Sequence, residues 1–161
     1  EENLRFFAAL YGVAGLDTEA LLARVGLIDR GKDRVGSYSK GMRQRLMVAR
    51  SILHRPQVLF LDEPTDGLDP VSAIKVRTLV QEEARRGAAV LLTTHDMHEA
   101  DELSDRVAFI NEGRVLALDT PEQLKLTPAN SFKVTVTLTL PELPQDHDLF
   151  FDLIFSWLPL T

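Results

Sequence analysis

The chain has 161 residues, 45% of them hydrophobic, enough to bury a core in one domain or slightly more. Its 18 basic and 24 acidic residues leave a net charge of −6, which gives no long-range attraction to nucleic acid or anionic lipid. With no cysteine, a disulfide framework and a thiolate metal site are both excluded.

Leu4, Phe7, Ala8 and Tyr11 recur at helical spacing and predict an amphipathic helix over Glu2–Tyr11; Leu21, Leu22 and Val25 predict a second over Thr18–Val25. Gly12, Gly15 and Gly26 punctuate them. A polar stretch leads into a third helix, from about Lys40 to His54, which Pro56 ends. Val58-Leu59-Phe60-Leu61 is a continuous apolar run of strand length and reads as a buried parallel strand. Asp69-Pro70 has the form of an N-cap followed by proline in the first turn, opening a helix that runs to about Arg86 and stops at Gly87.

A second buried strand is expected over Ala88–Thr93. After it Asp96 caps a short helix, with Glu99 three residues on as the reciprocal partner. Val107–Ile110 and Arg114–Leu118 flank Asn111-Glu112-Gly113 as a hairpin, and Thr120-Pro121-Glu122-Gln123 starts one last helix. From Ser131 to Leu140 the period becomes two, as in a half-buried strand of an appended element. These elements predict an α/β fold with a mostly parallel sheet: residues 1–55 a helical subdomain, 56–128 the α/β core, 129–161 a C-terminal β extension of unknown role.

No apolar run approaches the roughly 20 residues that cross a bilayer. The nearest, Leu149 to Leu160, is interrupted by Asp152 and Pro159, so a soluble or peripheral chain is expected. The first residue is Glu1 and no signal peptide follows, from which a reading frame extending upstream is expected.

Chemistry concentrates where Asp62 and Glu63 leave the first apolar strand. The C-terminal end of a parallel strand is where open α/β sheets bind ligands, and a single hard oxygen donor suits a Mg²⁺ that keeps most of its water, which makes Asp62 the candidate metal residue. Glu63, facing the other way, could orient or deprotonate a water attacking a terminal phosphate. Two carboxylates solvated at a strand end are the plainer alternative. Ser39 and Gly41 precede an apolar-periodic helix whose N-terminus would attract an anion, although Ser39 could simply be an N-cap. A lone His95 would more often be structural; His54, His98 and His147 fit no motif and read as structural or surface residues.

Leu61-Asp62-Glu63-Pro64-Thr65-Asp66-Gly67-Leu68-Asp69-Pro70 resembles the Walker B and D-loop segment of ATP-binding cassette (ABC) ATPases. Tyr38-Ser39-Lys40-Gly41-Met42-Arg43-Gln44-Arg45 is similar to the family signature, and Thr93-Thr94-His95-Asp96 to its switch histidine segment, in the family's order. The resemblance implies an incomplete P-loop NTPase-type (RecA-like) core in which residues 1–55 are the signature subdomain. It implies ATP and Mg²⁺ as cofactors, Asp62 on the metal, and Glu63 and His95 as catalytic residues in ATP hydrolysis. Ser39, Lys40, Gly41 and Met42 would contact the γ-phosphate of ATP held by the opposite subunit, and Asp69 would couple the two sites. The implied partners are a second nucleotide domain and a transmembrane permease, with no nucleic acid, at the cytoplasmic face of a membrane.

Tyr38, Lys40 and Met42 depart from the usual Leu-Ser-Gly-Gly-Gln, and Lys-Gly-Met resembles exporter-type subunits. The chain has no Gly-x-x-x-x-Gly-Lys-Ser/Thr loop and no glutamine loop ahead of the helical subdomain, so on its own it is expected neither to bind ATP tightly nor to hydrolyse it. A non-transport ABC ATPase and a noncatalytic partner module are the alternatives.

Overall fold

The computed structural model describes residues 1–126 and the backbone of 135–139. Helix α1 (Glu2–Leu10) and helix α2 (Thr18–Arg24) come first, the second opened by Asp17, whose carboxylate accepts the Ala20 N–H at 2.9 Å. Leu4, Leu22, Val25 and Leu27 from this region are fully buried, each contributing roughly 1.5–3 kcal/mol relative to exposure. Helix α3 (Lys40–Ile52) packs against α1 through Arg50, whose guanidinium lies 3.5 Å over the Phe7 ring, and just beyond the two helices His54 stacks on Tyr11 at 4.4 Å. His54 thus has the structural part its lack of a motif suggested. Arg45 donates to the carbonyls of Val25 (2.9 Å) and Gly26 (2.8 Å), satisfying groups that the end of α2 leaves over.

Strand β1 (Val58–Asp62) and strand β2 (Ala89–Thr94) are joined by helix α4 (Pro70–Arg85) and pair in parallel, Asp62 opposite Thr93. Asp69 caps α4 through the Ser72 N–H at 3.0 Å, with Pro70 in the first turn as its sequence predicts. The helix ends on Gly87, whose φ of 97° lets the Ala88 N–H fold back to the Glu83 carbonyl at 3.1 Å. Val76, Leu79 and Val80 of α4 join Leu59, Leu61, Val90 and Leu92 of the strands and Leu46, Val48, Ala49 and Ile52 of α3 in one apolar cluster.

The two strands are not buried on both faces, as their continuous apolar runs predict. In β1, Leu59 and Leu61 point into the core while Val58 and Phe60 are exposed, Phe60 by 58%. On the same face of β2, Ala89 and Leu91 are half-buried.

Asp96 caps helix α5 (Met97–Leu103) by accepting the N–H groups of His98 (2.9 Å) and Glu99 (3.4 Å). The reciprocal bond from Glu99 does not form: its side chain is fully buried with neither oxygen hydrogen-bonded among the described residues, and the Asp96 N–H goes to the Thr94 hydroxyl instead. Strand β3 (Arg106–Asn111) and strand β4 (Arg114–Asp119) form the expected hairpin, turned by Glu112 and Gly113 at φ 50° and 71°. Helix α6 (Pro121–Leu126) follows.

Strand β5 (Thr135–Thr139) completes a sheet of order β1-β2-β5-β3-β4. The fold is α/β, and β1–β2 is the parallel pair among the described pairings; β2–β5, β5–β3 and β3–β4 are antiparallel. The alternating stretch predicts a strand in an appended element. The strand exists, but it is inserted between β2 and β3. His147 and the run Leu149 to Leu160 lie outside the described residues.

Candidate functional site

The parallel register of β1 and β2 brings Asp62, Glu63, Thr93 and His95 to one end of the sheet. The Thr93 hydroxyl donates to Asp62 Oδ1 and accepts the Glu63 N–H at 3.2 Å, a bond shared with the Thr93 carbonyl at 3.0 Å. One side chain thus orients both acidic residues. Glu63 departs from the strand with φ 46°, a left-handed conformation that costs a residue with a side chain about 1–3 kcal/mol and persists where the surroundings over-determine it. The kink sends the Glu63 carboxylate to His95, Oε2 lying 2.6 Å from Nδ1. An ionised carboxylate can only accept, so in that state the bond is donated by Nδ1–H.

Asp62 is exposed at the strand tip, with one oxygen on Thr93. A single hard carboxylate there matches a Mg²⁺ whose other positions are filled by phosphate oxygens and water, so the donor set fits the ion the resemblance implies. No cluster of three or more potential metal ligands occurs among the described residues, so Asp62 alone would not hold the ion.

The signature-like residues stand beside this site, at the start of α3. Ser39 accepts the Met42 N–H at 3.2 Å and is the helix N-cap. Lys40 reaches across to Asp66, Nζ to Oδ2 at 2.7 Å, and Gly41 is where the helix meets the loop: a Cβ there would lie 3.1 Å from Leu68 Cδ2. The hydrogen bond from Lys40, then its charge, holds the Asp66 carboxyl below the usual carboxylate range; Asp69 is lowered as well, chiefly by its hydrogen bonds with Ser72. Met42 is half-buried against the core. Asp69 in its capping place and Ser39 in its own show the local roles that the sequence allowed for both.

Two residues that motif reading passed over take part. Thr93 lies within the switch histidine segment, and a hydroxyl at the end of a strand facing two acidic residues is the signal its sequence offers. Gln44 donates from Nε2 to the Glu63 carbonyl at 3.1 Å. Nothing in its spacing could have pointed to a main-chain oxygen nineteen positions away.

An acidic pair at the end of a parallel strand, Glu63 kinked off it, thus stands beside a capped helix and a histidine at one end of an α/β sheet. A family model described as ABC transporter matches residues 3–66, which hold both the Tyr38–Arg45 segment and the acidic strand end. A fluoroquinolones export ATP-binding protein of Mycobacterium tuberculosis is 56% identical over 125 residues, covering 78% of this chain and 42% of that protein. The doxorubicin resistance ATP-binding protein DrrA of the same organism is 42% identical over 147 residues, covering 89% of this chain and 44% of the relative. A solved structure described as the ATP binding subunit of an ABC transporter superposes with a TM-score of 0.67 at 29% identity, over 80% of this chain and 57% of that one. The chain belongs to the ABC transporter ATP-binding family, and it spans less than half the length of these two curated relatives.

Proposed function

We propose that the chain is the signature and hydrolytic half of an ATP-hydrolysing subunit that drives a separate membrane permease, in the exporting direction. The observation that carries this reading is the meeting of Asp62, Glu63 and His95 at the end of the β1–β2 pair, with Glu63 and His95 2.6 Å apart. Glu63 accepts a proton from, or aligns, the water that attacks the terminal phosphate, and His95, with both ring nitrogens protonated, donates from Nε2 to a phosphate oxygen. Asp62 would give one ligand to a Mg²⁺, which when bound neutralises charge on the phosphate oxygens. Thr93 keeps Asp62 and Glu63 apart and aimed.

The start of α3, with Ser39, Lys40, Gly41 and Met42, faces the nucleotide of a second copy or a related subunit, so two composite sites form in a dimer, coupled through Asp69. Export is supported by the relatives named for fluoroquinolones export and doxorubicin resistance. The partners are a second nucleotide domain and a permease at the cytoplasmic face of the membrane; among the described residues no helix is long and apolar enough to cross it. Because these 161 residues carry no Gly-x-x-x-x-Gly-Lys-Ser/Thr cradle, the chain alone is inert, and turnover needs a polypeptide that supplies one.

The test is Mg-ATPase activity of such a complete subunit with Glu63→Gln. Turnover is expected to fall by roughly two orders of magnitude or more while nucleotide binding persists. Turnover at the unsubstituted rate would refute the role, and micromolar Mg-ATP binding by the isolated 161-residue chain would refute its inertness.

A further inference from the structure

Glu63 is followed by Pro64, which has no N–H, so the peptide that joins them offers a single hydrogen-bonding group, the Glu63 carbonyl. On its other side the residue is fastened to β2, its N–H bonded to the carbonyl and hydroxyl of Thr93. The carbonyl accepts two bonds. One, from the Asp66 N–H at 3.1 Å, is internal to the turn and would travel with it. The other, from Gln44 Nε2 at 3.1 Å, ties the turn to a separate body, the helix α3.

Lys40 lies one helical turn before Gln44 on the same face, and its ion pair with Asp66 runs beside the Gln44 bond. Gly41 lies between these residues in sequence, and a Cβ there would press on Leu68 Cδ2 at 3.1 Å. The first two turns of α3 are thus clasped to residues 63–68, and the clasp reaches the main chain of Glu63 through Gln44.

We infer that Gln44 is a positioning residue for Glu63: it holds the Glu63–Pro64 peptide in the orientation that keeps the left-handed kink and points the carboxylate at His95. The functional part of this inference rests on the catalytic reading of Glu63 above. A shift of α3, whose first turn faces the neighbouring nucleotide in that reading, moves Gln44 and with it the Glu63 peptide. Lys40 and Asp66 limit the shift.

Two measurements test it. In the 161-residue chain, Gln44→Met keeps the length of the side chain and removes the donor. Amide hydrogen exchange at Glu63 and Asp66 is expected to quicken by about tenfold or more, while Val76 and Leu79 in α4 keep their protection. Gln44→Glu, of the same shape but unable to donate when ionised, replaces it if the methionine variant does not fold. In the complete subunit, Gln44→Met should lower kcat roughly tenfold to a hundredfold and leave KM for Mg-ATP within about twofold, and Gln44→Lys, which restores a donor, should recover most of kcat. Unchanged exchange at residues 63 and 66, or a lysine variant no better than methionine, would overturn the inference. A wild-type subunit with no turnover would instead sink the catalytic reading of Glu63, and the exchange measurement would still decide whether Gln44 places that residue.

Discussion

Glu63 and His95 are 32 positions apart in sequence and 2.6 Å apart in space, because the strands that deliver them pair in parallel and end together. The contact depends on the kink at Glu63, and the kink on bonds from neighbours that carry no charge. The geometry of the site therefore responds to substitutions at residues outside the acidic pair and His95.

Thr93 is one of these. Replacing it by valine keeps the shape and removes the hydroxyl that serves both Asp62 and the Glu63 N–H. The loss should cost about 1 kcal/mol of stability in urea unfolding and lower the Mg-ATPase rate of the complete subunit, whereas Thr93→Ser should behave nearly as the wild type. A valine variant with full activity would show that the hydroxyl does not orient the pair.

The Lys40–Asp66 ion pair makes a pH-dependent contribution of definite sign. Lys40 depresses the Asp66 carboxyl below its ordinary 3.8, so the folded state is favoured at any pH above that value, and the advantage is lost as the pH falls through the lowered native one. Urea midpoints of wild type and Asp66→Asn should differ slightly at pH 7, the variant being weaker, and converge as the pH falls below 3.8. Both side chains are largely exposed, so the gap is small. A gap that widened in acid would contradict the assignment.

Tyr38 behaves in the opposite sense. Its ring is buried and its hydroxyl donates to the Arg30 carbonyl at 2.8 Å; burial first, and the charge of Asp33 second, raise the phenol above 10.0. The stability this gives is complete below pH 10.0 and is lost as the pH rises toward the raised native value. At pH 7 Tyr38→Phe should be weaker by about 1 kcal/mol, and above pH 10 the variant should lose less than the wild type. Parallel alkaline curves for the two proteins would argue that the phenol is not shielded.

Val58 and Phe60 put apolar side chains on an open sheet face. Phe60→Ser should reduce the binding of a hydrophobic dye by the isolated chain without lowering its unfolding midpoint appreciably, since little of the ring is buried. Unchanged dye fluorescence would place the exposed apolar surface elsewhere.

Local chemistry explains how much of this the sequence revealed. The Ser39, Asp69 and Asp96 caps, the proline in the first turn of α4 and the Asn111–Arg114 turn are written in a few adjacent residues and lie where expected. The acidic strand end and His95 were legible because motif spacing survives folding. The place of β5 was not, because an alternating pattern states that a strand has two unlike faces but not which edges it will join. Nor was the exposure of Phe60, since an apolar run states what a strand would tolerate rather than what covers it. Gln44 and Thr93 act on the backbone and on neighbouring carboxylates across the fold, and such bonds leave no periodicity.

The position of β5 bears on how the molecule is assembled. Because it lies between β2 and β3, antiparallel to both, the sheet is continuous only through it; without it the described strands form two separate ribbons, β1–β2 and β3–β4. The hairpin β3–β4 is local and can close early, whereas joining it to β1–β2 waits for a strand some forty residues beyond Thr94, with the loop-closure entropy that such a span carries. Strand pairing between the Asp62 end of the sheet and the hairpin therefore runs through the strand that comes last in the described chain.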